Sequence, residues 1–220
     1  MTPLLYVRPV AAFSTAGIFT QVPLLFSALS LLPDNTASSA PLSFLLVASS
    51  SPVRHLRRKL TLRAHGEQIV LVKRKQERIE HVWMKAFLWA LVLPTHSKAQ
   101  VKVGVGDKYT PDVVAMDRRR GRPSFWGEAG HVSPEKIEAL IGRYTGTHLA
   151  IAKWDTPLDP TLDVVEAAVH DTSRTAPIDL LNFPPDSGDR FITDGHVSLR
   201  LYDLPSSVEW IRVGNARTKT

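Results

Sequence analysis

From residue 57 onward, apolar and polar positions fall into short regular runs. "KLTLRA" and "QIVLVKR" alternate or run apolar on either side of His65-Gly66, which predicts a β-hairpin. In "ERIEHVWMKAFLWALVL", Ile79, Val82, Trp83, Ala86, Phe87, Ala90 and Leu91 recur at spacings of three and four. This pattern predicts a helix with one buried face, ended near Pro94. Three strand-like runs follow, "QVKVGVG", "DVVAMD" and "SFWGEAG", joined by tight connections containing Gly106, Pro111 and "RRRGRP". They predict an antiparallel meander. Ser133-Pro134 then supplies an N-cap and a first-turn proline, and Ile137, Leu140, Ile141 and Tyr144 form the stripe of a second helix. "HLAIAKW" follows as a short buried strand.

Beyond it the pattern weakens to a short helix near "DVVEAAV", a Pro-rich irregular stretch, and a final strand pair, "GHVSLRLYD" and "SVEWIRV", expected to extend the sheet. Residues 54–220 therefore read as one mixed α/β domain: a hairpin, then helix, three strands, helix, strand, then C-terminal strands. Residues 1–53 are different, because Arg8 and Asp34 are the sole charged side chains before Arg54. The uncharged run over 9–33 is long enough for the roughly 20 residues that span a bilayer, but Pro23 and its Ser/Thr content argue against a span. A disordered or cleaved leader, or an extension added by a wrong start site, is the first reading and a membrane anchor the second. The expected location is cytoplasmic, or organellar if residues 1–53 are a transit segment.

Charge redraws this map. Residues 51–136 hold 18 Lys and Arg against 8 Asp and Glu, whereas residues 137–220 hold 8 against 12. A basic excess confined to the middle of the chain suits a polyanion-facing surface, and suits an unevenly solvated one as well. The chain has no cysteine, which removes disulfides, cysteine nucleophiles, iron–sulfur clusters and thiolate zinc sites. No Gly-rich phosphate loop precedes a helix, so no nucleotide cofactor is expected.

The chemistry concentrates at two strand ends. Asp112 opens "DVVAMD" and Glu128 lies toward the end of "SFWGEAG", so antiparallel pairing sets them side by side. Adjacent carboxylates repel unless a cation lies between them or one takes up a proton. Oxygen ligands of this kind suit Mg²⁺ or Mn²⁺. An unneutralised pair also predicts that alanine at either position raises or barely alters metal-free stability. Lys136 occupies the first turn of the second helix, where the macrodipole disfavours a cation by about 0.3–1 kcal/mol, and its side chain can point back toward Glu128. Glu77, placed in the first turn of the first helix, is a third acidic candidate. His81 is a supporting candidate, while His131 and the tryptophans Trp83, Trp89 and Trp126 fit loop and core roles. The bland alternatives are that Asp112 caps a turn, Glu128 pairs with an arginine of the basic turn, and Lys136 is solvated.

The order of these elements resembles the core of the PD-(D/E)XK nuclease superfamily, with Pro111-Asp112 as its "PD". More narrowly, "KQERIEHVWMKAFLWAL", "FWGEAG" and "TDGHVSLRL" are similar to motifs of the YaeQ family, across about residues 55–212. The resemblance implies a restriction-endonuclease-like mixed sheet with an αβββαβ core. It implies Asp112 and Glu128 as ligands of Mg²⁺ or Mn²⁺, Glu77 as accessory acid, and Lys136 in the lysine role. The superfamily's lysine would stand two residues after Glu128, where this chain has Gly130. The implied activity is hydrolysis of nucleic-acid phosphodiesters, DNA ahead of RNA. Backbone phosphates would be contacted by Arg118, Arg119, Arg120 and Arg122 of the turn and by Lys73, Arg74 and Lys75. The rival reading is a nuclease-fold protein that binds nucleic acid or protein without turnover, and a membrane-tethered protein is the third.

Overall fold

A computed structural model of the chain describes residues 59–214. The leader, its boundary near residue 53 and the run over 9–33 lie outside the described residues. Among the described residues no helix is long and apolar enough to cross a membrane.

The described residues are mixed α/β, with two sheets and four α-helices. β1 (Lys59–Ala64) and β2 (Glu67–Val72) form the expected hairpin, turned by His65 and Gly66, both at positive φ. Next come α1 (Ile79–Val92), β3 (Gln100–Val101), β4 (Val113–Asp117), β5 (Arg122–Ala129), α2 (Pro134–Arg143), β6 (His148–Trp154) and α3 (Asp159–His170). The chain continues through β7 (Ile178–Phe183), α4 (Ser187–Phe191), β8 (Ile192–Thr193), β9 (His196–Val197) and β10 (Glu209–Val213). One sheet runs β10-β7-β6-β5-β4-β3, the other β2-β1-β9-β8. In the larger, β5, β6 and β7 are parallel, and β3, β4 and β10 pair antiparallel at its margins. Helices α2 and α3 make the two parallel crossovers.

Because its central strands are covered on both sides, β6 divides its residues between two cores. Leu149 and Ile151 join Trp126, Ile137, Ile141 and Val165 beneath α2 and α3, whereas Ala150 and Ala152 face α1. Helix α1 lies between the two sheets, touching β4, β5 and β6 on one side and β2 and β9 on the other. This overturns the single-face expectation: Val82 and every residue from Met84 to Val92 are buried. Close approach to β5 needs Gly127, where a Cβ would stand 3.0 Å from Phe125 Cε1, 3.3 Å from Val113 Cβ and 3.4 Å from Leu88 Cδ1.

Two sheet expectations are also corrected. "QVKVGVG" pairs over two residues alone, because Lys102 and Gly106 adopt positive φ and break the extended run. The final pair does not extend one sheet together: His196–Val197 joins the small sheet, and β10 pairs with β7, a strand hidden in the stretch read as irregular. Leu199 is buried without being in a strand, so the alternation of "GHVSLRLYD" records packing of a loop on the core.

Candidate functional site

The acids come together where β4 begins and β5 ends. Val113 pairs with Gly127, which sets Asp112 opposite Glu128. Asp112 is fixed there by its own backbone: its N–H donates to the Gly127 carbonyl at 2.9 Å, and its carbonyl accepts from the Lys102 N–H at 3.0 Å. Its side-chain Oδ2 accepts from the Ala129 N–H at 3.0 Å and lies 3.5 Å from His81 Nε2. Glu128 is 4% exposed, and its Oε1 accepts from Trp126 Nε1 at 2.7 Å and from Lys136 Nζ at 2.7 Å. Lys136 is placed by the helix cap: Ser133 accepts its backbone N–H as expected, and its ammonium lies 5.5 Å from the centre of the Tyr109 ring.

Glu77 stands two residues before α1 rather than in its first turn. Its Oε2 accepts from the Arg74 N–H at 3.1 Å, and its Oε1 meets His81 Nδ1 at 2.9 Å, Lys85 Nζ, and Lys102 Nζ at 3.6 Å. His81 thus links Glu77 to Asp112. Helical side chains lean toward the helix N-terminus, so Lys85, 2% exposed, reaches back along α1 to that carboxylate.

The environment drives the three acids apart. At Glu77, burial works to raise the carboxyl, but hydrogen bonds from Lys85 and the Arg74 N–H, with the charges of Lys85 and Lys102, hold it down at about 2. At Asp112 burial is likewise outweighed, by hydrogen bonds from His81 and the Ala129 N–H, and the group is held below its usual value. Glu128 goes the other way, because burial, helped by the charge of Asp112, prevails over Lys136 and Trp126. Burial lowers Lys85, in opposition to its bond with Glu77.

Several expectations change here. The two acids are not unneutralised neighbours: each already accepts two hydrogen bonds or ion pairs, so alanine at either position removes favourable contacts. Glu128 pairs with Lys136 and not with an arginine of the basic turn. Among the described residues no group of three His, Cys, Asp or Glu side chains is arranged to hold a metal, since Glu77 is committed to cations and reaches Asp112 through His81. Two carboxylates remain. Asp112 Oδ1 and Glu128 Oε2 carry no hydrogen bond among the described residues. Such a pair fits a Mg²⁺ or Mn²⁺ ion that keeps several waters.

A cleft of about 620 Å³ opens beside the acids, walled by Glu77, His81, Met84, Ala129, Gly130 and Lys153 among others. Gly130 has φ +82°, a left-handed conformation that favours glycine. The chain turns there so that the Gly130 N–H donates to the Ala152 carbonyl at 2.8 Å; a Cβ at this position would meet only ordinary contacts, 3.7 Å from His81 and Met84, but a side chain would strain the backbone. His131 is exposed on the cleft wall.

The basic residues divide. Lys73, Arg74 and Lys75 run directly into Glu77, at the acid end. Arg118, Arg119 and Arg120 form the opposite tip of the β4–β5 hairpin, with Arg122 at the start of β5. Six residues of extended chain from Asp112 place that tip about 20 Å away. There Asp117 Oδ1 accepts from the Arg119 and Arg120 N–H groups, and Asp117 pairs with Arg120 at 3.7 Å. Sequence reasoning missed Lys85 and Lys102. Lys85 left a signal, a cation inside an otherwise apolar helix.

No protein-family model matches the chain, and no curated protein matches it. Among solved structures, it is similar to the YaeQ protein from Xanthomonas axonopodis pv. citri at 10% identity and a TM-score of 0.45, covering 72% of this chain and 95% of that one. It is also similar to the YaeQ protein from Pseudomonas syringae at 12% identity and a TM-score of 0.47, covering 72% of this chain and 92% of that one. Both bear the name of the family that the sequence motifs resemble.

Proposed function

We propose that the protein is a metal-dependent, nuclease-like hydrolase of nucleic-acid phosphodiesters, in which α1, β3, β4, β5, α2 and β6 serve as a restriction-endonuclease-like core. The observation that carries this reading is the strand register that sets Asp112 opposite Glu128, each with one oxygen free of hydrogen bonds among the described residues, next to Ala129 and Gly130 of an open cleft. They would hold Mg²⁺ or Mn²⁺, which when bound lowers the pKa of a water and polarises a phosphoryl oxygen.

The remaining work belongs to the chain itself. Hydrogen bonds from Ala129 and His81 hold the Asp112 carboxylate in place and anionic. Lys136 presents its ammonium at Glu128 from a different element than the superfamily's lysine, where it can orient a water or steady charge on the phosphate. Glu77 anchors His81 and balances Lys85 and Lys102. Lys73, Arg74 and Lys75 attract the strand near the acids. The arginines of the hairpin tip can touch only a substrate long enough to span about 20 Å, roughly six nucleotide steps at 3.4 Å per step.

The non-catalytic reading has its own support. Lys136 and Lys85 supply internal cations to Glu128 and Glu77, so two of the acids are balanced with no metal. Calorimetric titration of Mn²⁺ into the full chain separates the two readings. The hydrolase reading expects a heat of binding that Asp112→Ala abolishes. No heat in the wild type leaves a nuclease-like fold used for binding.

A further inference from the structure

The cleft contains a cation that the acid cluster does not use. Lys153, the penultimate residue of β6, is 8% exposed and lines the cleft beside Trp154, opposite Glu77 and His81. β6 runs parallel to β5 with Glu128 paired to Ile151 and Ala129 to Ala152, so Lys153 lies one step past the level of Ala129 and two past that of Glu128. It makes no ion pair or hydrogen bond among the described residues, and burial alone lowers its pKa. The sole sealed, unpartnered side-chain N or O atom among the described residues is Nε of Arg174, so Lys153 Nζ is still reached by solvent, and the cleft is the space that Lys153 lines.

The other charges of the cleft are largely spoken for. Glu77 is engaged by His81, Lys85 and Lys102, and Glu80 pairs with Arg78 at 3.3 Å. What remains facing the space is a desolvated ammonium without an anion. Such a group is expensive to keep unless a ligand neutralises it. A lysine is a compact point charge suited to a phosphate, which needs no bidentate geometry to be held.

We propose that Lys153 anchors a phosphate subsite of this cleft, adjacent to Asp112 and Glu128. The proposal rests on the hydrolase reading for the source of the phosphate, a nucleic-acid strand. With a strand bound, Lys153 takes a non-bridging phosphate oxygen and sets the register in which a neighbouring phosphodiester meets the two carboxylates.

The test uses the full chain without metal and two probes, inorganic phosphate and a ten-nucleotide oligothymidylate. The Lys153→Met variant keeps the apolar stem and removes the charge, and a thermal melt verifies that it folds. Lys153→Arg keeps the charge and guards against a methionine variant that fails to fold. Oligothymidylate is expected to bind at least tenfold more weakly to Lys153→Met and within threefold of wild type to Lys153→Arg. The slope of log K against log salt should fall by about 0.7, the value for one single-strand phosphate contact. Binding of inorganic phosphate that depends on Lys153, with oligothymidylate unaffected, would support the subsite and overturn the strand as its source. Equal affinity of wild type and Lys153→Met for both probes overturns the proposal, as does absence of binding by the wild type. A wild type that shows no Mn²⁺ heat yet binds oligothymidylate through Lys153 would remove the hydrolase reading and leave the subsite standing.

Discussion

Two buried carboxylate networks occupy this molecule, and they differ in what is left over. Asp179, the second residue of β7 and 1% exposed, has both oxygens engaged. Its Oδ1 accepts from Trp210 Nε1 at 2.9 Å and Arg212 Nε at 2.7 Å, while Oδ2 accepts from Arg212 Nη2 at 2.7 Å and lies 2.6 Å from His148 Nε2. The partners come from β10 and β6, so this acid rivets three neighbouring strands. The space beside it is small and mostly apolar. Glu128 is buried and Asp112 half-buried, and both are paired too, but each keeps one oxygen without a hydrogen bond among the described residues, and the next residues of β5, Ala129 and Gly130, line a wide cleft. Burial and charge alone therefore do not mark a site. What sets the second pair apart is a spare oxygen on each acid close to a wide cleft.

Asp179→Ala should destabilise the fold by about 3–5 kcal/mol, because Arg212 and His148 are left without their anion. Urea unfolding at neutral pH measures this, and Mn²⁺ binding by the fraction still folded should be unchanged. A loss below about 1 kcal/mol would mean that the Asp179 network is no more structural than the other.

Asp112→Ala should destabilise the metal-free protein by a smaller amount, about 1–3 kcal/mol, from loss of the contacts with Ala129 and His81. The sign is opposite to that expected for two bare, repelling acids. A variant more stable than wild type would restore the picture of an unneutralised pair.

The smallest effect is a slope. Glu77 has its folded pKa held at about 2 against an ordinary 4.5, so its contribution is complete above pH 4.5 and is lost as pH falls through about 2. Asp179 is also lowered, burial being outweighed by Arg212 and His148, and it adds to the same acid limb. Glu77→Gln should flatten that limb by at most about 1.4 kcal/mol per pH unit, the limit for one proton. Stability against pH from 2 to 6, wild type beside variant, gives the difference.

The parts of this structure that sequence made legible are those where a local rule and the tertiary contacts agree. His65-Gly66 turns the hairpin with the positive φ that its sequence suits, and Ser133-Pro134 starts α2 as its cap chemistry requires. Asp112, Glu128 and Lys136 were legible because strand pairing and one helix cap suffice to place them. β7 was not, since "IDLLNF" is a short apolar run buried on both faces and fenced by Pro177 and Pro184, which suggested a loop. Lys85 was not, because its partner lies eight residues earlier and outside the helix, beyond any periodic rule. The segregation of the two basic clusters was invisible for a plainer reason: a hairpin's length separates its tip from its ends, while charge counting ignores direction.

The small sheet has a consequence for how the chain acquires this arrangement. β1 pairs in parallel with β9, Arg63 beside His196, and the Arg63 N–H donates to the Gly195 carbonyl at 2.8 Å. The two partners are more than a hundred residues apart along the chain. During synthesis the hairpin and α1 emerge early, yet the layer that closes over α1 arrives with Phe191, Val197 and Leu199, near the end. Closing so long a loop is entropically demanding, and contacts of such high order slow folding. A ribosome-bound fragment ending before residue 190 would hold His81 and Lys85 on a helix that the β1–β2 hairpin alone covers on its small-sheet side, without Phe191, Val197 and Leu199 to complete the layer.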